Sequence, residues 1–184
     1  VYKRQGLTDV AMIGWYGTSE LAALTLGHTC LFFIYITLTG FSLAVITNVS
    51  RAFGKDDTEA LRINFRMGLW LVFAFSLFGL ALVSKTSAFL TFLEQDEYIV
   101  EIVSEYIQIV QWMMPFLLLT YVIKAFLISV KKQQVVLFIS IFGLITNFIF
   151  NYLFIFGNFG FPELGITGVA CSSLLTSICM MLSG

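Results

Sequence analysis

The sequence predicts an all-α integral membrane protein, and three observations lead there. Of its 184 residues, 59% are hydrophobic and 11% are charged, against roughly a quarter charged in an ordinary soluble domain. The apolar residues gather into runs of the length that crosses a bilayer as a helix, about 20 residues. Lys and Arg are confined almost wholly to the short connections between those runs. A soluble fold of this size needs enough polar surface to cover its core, and this chain lacks it. A formal net charge of −1 gives no basic field for nucleic acid.

The spans follow in order. Residues 6–16 form an apolar remnant, too short to cross alone at 1.5 Å per residue. Residues 21–50 form a long run ending at Arg51. Residues 63–83, 98–130, 135–156 and 164–182 complete the set, giving five full spans and the end of a sixth. Pro115 is expected to kink the 98–130 span. Between spans, Gly14-Trp15-Tyr16-Gly17-Thr18-Ser19-Glu20 ends one helix and starts the next, with Thr18 or Ser19 as the expected cap. Gly54-Lys55-Asp56-Asp57-Thr58 reads as a turn with an N-cap, and Gly157 to Pro162 as a tight loop. Val1-Tyr2-Lys3-Arg4-Gln5 is polar and abrupt. Back-translated as GTG TAT AAG AGA CAG it reproduces a transposon end used in sequencing adapters, so residues 1–5 are read as adapter-derived and left out of the fold. The chain is expected to be truncated at both ends.

The charges orient the spans. Arg51, Lys55, Arg62 and Arg66 mark one connection, and Lys131 and Lys132 another. The 84–97 connection carries Glu94, Asp96 and Glu97 beside Lys85, and the 157–163 connection carries Glu163 with no base. Basic residues mark every second loop, which the positive-inside rule places in the cytoplasm. The expected location is the cell inner (plasma) membrane, multi-pass, with the N-terminus cytoplasmic. Trp15, Tyr16 and Tyr98 fall where interfacial aromatics anchor helices.

An ionisable residue inside a span is a functional hypothesis by default. Asp9 is an acid deep in an apolar run, about two turns from the helix end. Such a carboxylate can take up a proton or a cation and release it on rewetting; the plainer reading is an acid satisfied by its neighbours. Asn147 and Asn151, spaced i, i+4, share one helix face with Ser140 and Gly143. Two amides there can coordinate a cation or hydrogen-bond a carboxylate, or serve as glue between helices. Gln108 and Gln111 either line a wet cavity or belong to a protruding helix. Catalytic residues are not expected. The single histidine, His28, and the cysteines Cys30, Cys171 and Cys179 lack metal-ligand spacing, and there is no G-x-S-x-G nucleophile elbow.

Gly6-Leu7-Thr8-Asp9-Val10-Ala11-Met12-Ile13-Gly14, with Gly17 and Leu21-Ala22-Ala23, resembles the first helix and first outer loop of multidrug and toxic compound extrusion (MATE) transporters. Arg51-Ala52-Phe53-Gly54-Lys55-Asp56-Asp57 resembles their loop after the second helix. The stretch from Asn147 to Gly157 resembles the fifth helix, and Gly160 to Gly168 the loop into the sixth. The matches keep the family's order over almost all of residues 6–184, nearest the NorM-type branch. The resemblance implies the six-helix N-lobe, its first helix truncated, of a twelve-helix two-lobe antiporter. Such an antiporter exports lipophilic cationic drugs or toxins in exchange for Na⁺ or H⁺, with no other cofactor. Its partners are the lipid bilayer and the missing C-lobe. The resemblance makes Asp9, Asn147 and Asn151 the cation-coupling residues, with Na⁺ near Asp9 as the metal, and puts Ser173 where a cavity-lining Thr is common. One subgroup carries an acid at the Asn151 position, and the family often has a proline near Val135; this chain has neither. The alternatives are a lipid-linked oligosaccharide flippase of the same superfamily, which needs several bases for a pyrophosphate, and a non-transporting membrane subunit.

Overall fold

A computed structural model describes residues 2–160 and 162–184, with side chains from Gly6 onward. Val1, Phe161 and the side chains of residues 2–5, on which the adapter reading bears, lie outside the described residues. Among those described there are nine α-helices and one 3₁₀ turn, arranged as six units, of which four, or five with the bent pair, are long and apolar enough to cross a membrane.

The first unit is α1 (Tyr2–Gly14). The second joins α2 (Thr18–Thr39) to α3 (Phe41–Gly54) through Gly40, whose dihedrals stay helical (φ −55°, ψ −32°). This 37-residue rod is about 55 Å long at 1.5 Å per residue, so it outruns the hydrocarbon core and carries Arg51 clear of it. The expected side-chain cap at Thr18 or Ser19 is absent. Gly17 is the N-cap, with extended backbone and no side-chain acceptor, because the helix begins at Thr18 itself. Asp57 caps α4 (Thr58–Val83), its carboxylate accepting from the Ala60 N–H at 2.9 Å. That realises the turn expected at Gly54–Thr58.

The 84–97 connection holds an unexpected short helix, α5 (Thr86–Phe92), tied to the next unit by Ser104 Oγ donating to Ser87 Oγ at 2.8 Å. Seven residues are too few for an apolar period to show. Asp96 then caps α6 (Glu97–Val110). The 98–130 span is broken: α6 meets α7 (Met113–Ser129) at 53°. The break falls at Gln111–Trp112, one turn before Pro115, because a proline lacks the N–H for its i−4 carbonyl and its ring crowds that carbonyl. The Gln111 carbonyl accepts instead from Met114 N at 3.1 Å.

The last two units, α8 (Gln133–Phe156) and α9 (Gly165–Leu182), form the most extensive helix pair. Gly157 ends α8 in the left-handed region (φ 64°, ψ 29°), where glycine bears no Cβ penalty. Gly168 lets α9 press against the end of α8. A Cβ there would stand 2.5 Å from the Phe154 carbonyl oxygen, which already accepts from Leu164 N at 3.0 Å. Gly168 and Ser172 are both buried in this contact, the small-residue packing that brings membrane helices close.

Trp15 in the first loop and Tyr98 in the first turn of α6 are exposed. The Tyr16 ring covers Gly165; its burial, and then the charges of Glu163 and Glu20, push the phenol pKa up. Large apolar side chains such as Trp70 and Phe138 face outward from the bundle, where lipid takes the place of a core.

Gly168→Ala is expected to destabilise the fold by about 1–3 kcal/mol, the cost of overpacking a filled contact. Thermal unfolding in detergent, with Gly54→Ala as control because a Cβ at Gly54 meets nothing within 4 Å, checks it. Equal melting of the two variants would refute the close approach.

Candidate functional site

Asp9, Met12 and Ile13 form the buried face of α1, which packs on α2 and α8 and touches α9. Asp9 is only 3% exposed. A carboxylate in such a place is tolerated only with donors turned on it.

Those donors come from α8. Its buried face runs Ser140, Gly143, Asn147, Asn151, the stripe that the spacing of these residues predicts. Asn151 Nδ2 donates to Asp9 Oδ1 at 2.6 Å, and Asn147 Nδ2 to the same oxygen at 3.2 Å. The two amides also face each other, Asn151 Nδ2 lying 3.5 Å from Asn147 Oδ1. From α9, the Ser172 hydroxyl donates to Asn151 Oδ1. A hydroxyl given to the amide oxygen leaves the amide nitrogen for the carboxylate, so Ser172 sets the direction in which Asn151 points. The Ser173 side chain also reaches Asp9.

Asp9 opens on a cavity of about 390 Å³ between α1, α2, the α6–α7 break, α8 and α9. Its polar wall includes Asn147, Ser173 and Thr176, and its apolar wall Phe32, Tyr106 and Leu117. His28 faces the acid across it, with Nε2 3.9 Å from Asp9 Oδ2, too far for a direct hydrogen bond. The His28 ring leans on Tyr106 at 5.9 Å.

Of the residues singled out in the sequence, Asp9, Asn147 and Asn151 come together, and Ser173 joins them. Gln108 and Gln111 do not line this cavity. Gln108 is exposed, and the Gln111 amide donates to the Gln108 carbonyl at 3.0 Å. The bend at Gln111–Trp112 sends Met113 and Leu117 inward in their place. Two residues were missed. His28 is an ionisable group inside a span, and the rule that drew attention to Asp9 applies to it equally. Ser172 carries no signal in the sequence, since small hydroxyls are common in membrane helices.

The arrangement offers oxygen ligands and proton acceptors, and no soft donors. Among the described residues no three His, Cys, Asp or Glu side chains converge as a transition-metal site. A bare Asp9 is held by amide N–H groups. A small cation arriving at Asp9 would be met by amide carbonyl oxygens after the amides turn, so one site can serve both states.

The MatE family model matches residues 5–153. A probable multidrug resistance protein NorM of Rhizobium meliloti (strain 1021) is 35% identical over 167 residues, 91% of this chain and 36% of that protein. The protein of the same description from Agrobacterium fabrum (strain C58 / ATCC 33970) is 29% identical over 170 residues, 92% of this chain and 37% of that one. This chain thus spans little more than a third of the length of these relatives. Two solved structures share the fold at 18% identity. An inward-facing multidrug resistance MATE family transporter of the MOP superfamily has a TM-score of 0.90, over 100% of this chain and 41% of that one. A MATE in the bent conformation has a TM-score of 0.83, over 97% and 39%.

The Asp9–Asn151 bond joins two buried groups, so their substitutions should not add. A double-mutant cycle of Asp9→Ala and Asn151→Ala is expected to show a coupling of about 1–3 kcal/mol in unfolding free energy. The single variant Asn151→Ala should be the worst of the set, because it leaves an ionised acid short of a donor. Simple additivity would mean that the two groups do not interact.

Proposed function

The chain belongs to the MatE family, and from that membership we propose that it is the N-lobe of a secondary active antiporter. The antiporter exports lipophilic cationic drugs or toxins in exchange for Na⁺ or H⁺, the ion being bound at Asp9 with Asn147 and Asn151. The observation that carries the reading is the buried Asp9 carboxylate, held by two amides and open to a cavity that mixes polar and aromatic walls.

The geometry supports coupling in the following way. With Asp9 bare, the Asn147 and Asn151 N–H groups tie α1 to α8, and Ser172 extends the tie to α9. A proton or Na⁺ on Asp9 removes the negative charge those N–H groups serve and turns the amides toward their oxygen side. The contacts between α1 and α8 then differ between loaded and empty states. An ion shifts a conformational equilibrium only through such a difference. The organic cation needs the same negative field and an aromatic wall, so one occupant weakens the hold on the other. That is the requirement for exchange. A flippase of the same superfamily is not favoured: Asp9 puts a negative charge in the cavity, and no Lys or Arg lines it.

In this reading the protein is a multi-pass protein of the cell inner membrane with its N-terminus cytoplasmic. The basic 51–66 and 131–134 connections face the cytoplasm, and the acidic 84–97 connection faces outward. Cysteines introduced at Lys55 and Asp96 of the full-length protein are expected to label from opposite sides with an impermeant reagent. Labelling of both from outside would sink the topology.

Asp9→Asn in the full-length protein is expected to abolish gradient-driven dye efflux from vesicles while membrane levels hold. The amide keeps shape and hydrogen bonding and loses only the charge. Asp9→Glu should keep part of the activity. Asn151→Ala should cost less, as a neutral ligand contributes less than a charge at low dielectric. Efflux at wild-type rate by Asp9→Asn would make Asp9 structural.

A further inference from the structure

A second cavity, of about 350 Å³, lies inward of the first, and buried Leu117 lines both. We propose that this inner cavity is a subsite for an oxyanion group, a carboxylate or a phosphate, held by the ammonium of Lys124.

Lys124 lies on α7, five residues before that helix ends at Ser129, and it is half-buried in the cavity wall. Among the described residues no carboxylate lies within salt-bridge distance of its ammonium, and it makes no hydrogen bond. The walls cannot supply one. The four helices that form the cavity, α3, α7, α8 and α9, contain no Asp or Glu at all. A charge inside a span is otherwise paired or exposed to a water-filled space. The Ser140 hydroxyl, 4% exposed in the same wall, also makes no hydrogen bond to another described residue. It contrasts with Ser42 and Thr120, whose hydroxyls are used on their own helix carbonyls, Thr39 at 2.7 Å and Phe116 at 2.8 Å. A cation and a free hydroxyl on one cavity are matched by one acceptor-rich anion.

Two sources can bring that group. One is an amphoteric solute with its amine toward Asp9 and its carboxylate toward Lys124. Leu117 and Lys124 are two turns apart on α7, about 10 Å, so a drug-sized solute can span them. The other is the phosphate of an anionic lipid, its acyl chains lying along exposed Leu43 and Ile128 at the cavity mouth.

The test uses the full-length protein with Lys124→Gln, which keeps length and loses charge, and Lys124→Arg, which keeps charge. In proteoliposomes, uptake of a zwitterion bearing an amine and a carboxylate is compared with that of its methyl ester, a simple cation. If a solute is the source, Lys124→Gln lowers kcat/KM for the zwitterion about tenfold relative to the ester, and Lys124→Arg restores the ratio. If a lipid is the source, native mass spectrometry finds phosphatidylglycerol lost from Lys124→Gln and kept by Lys124→Arg. Phosphatidylcholine is then unaffected and the solute ratio unmoved. No change in either measurement, or equal loss of both solutes with lipid retention intact, overturns the proposal. The solute arm rests on the export reading. If the wild type moves neither solute, that reading fails by itself, and zwitterion binding at equilibrium with the lipid measurement still decides the role of Lys124.

Discussion

The lobe is organised around one electrostatic constraint: a carboxylate placed in a lipid-embedded bundle has to find its donors inside that bundle. Asp9 finds them on α8, and α8 holds them in place only because α9 presses against it. The chain of dependence runs from Gly168, which lets α9 approach the Phe154 carbonyl, through Ser172, which takes the Asn151 oxygen, to the Asn151 nitrogen on Asp9. A side chain at Gly168 would move Ser172, and the amide would lose what fixes its direction. Packing and electrostatics are here the same interaction seen from its two ends.

The second determinant is the loss of one backbone hydrogen bond. Pro115 cannot donate to the Gln111 carbonyl, and the helix breaks there by 53°. A straight helix would have continued one face of the polar 98–111 segment into the bundle. The break turns Met113 and Leu117 into the interior and leaves Gln108 outside. Leu117 then becomes the partition between the outer and inner cavities.

How much of this could be read from the sequence depends on the range of the interaction. Spans and their order are legible because hydropathy sums over 20 residues and the bilayer sets the length. Asn147 and Asn151 share a face because 3.6 residues per turn require it, and the structure finds both buried on that face. Asp9 is conspicuous as an acid among apolar neighbours. What escapes is short or tertiary. α5 is seven residues long. The start of α2 is capped by Gly17 and not by the nearby hydroxyls. Ser172 matters only through a helix 21 residues away in the chain. Gln108 and Gln111 would face a cavity only on an unbroken helix, and the effect of the Pro115 kink on their direction is a tertiary matter that the sequence does not carry. His28 was set aside as a metal ligand without partners; its proximity to Asp9 becomes visible only when α1 and α2 are packed together.

The two cavities differ in sign, and this follows from where each helix places its few polar residues. The outer cavity takes its acid from α1, with His28 across from it on α2. The inner cavity takes its only charge, Lys124, from α7, among helices with no acid. In a medium of low dielectric, opposite charges in neighbouring cavities still feel each other, and here Leu117 lines both cavities between them. A cation entering the outer cavity moves toward Asp9 and away from Lys124. Its depth in the lobe is thereby limited by repulsion as well as by the width left beside Leu117. Under the proposed antiport, a purely cationic occupant would be held in the outer cavity beside Asp9, and competition between ion and organic cation would be confined to one place. An oxyanion on Lys124 would remove the repulsive half of that field and leave the attractive half at Asp9, so occupancy of the inner cavity bears on how far into the lobe a cation can reach.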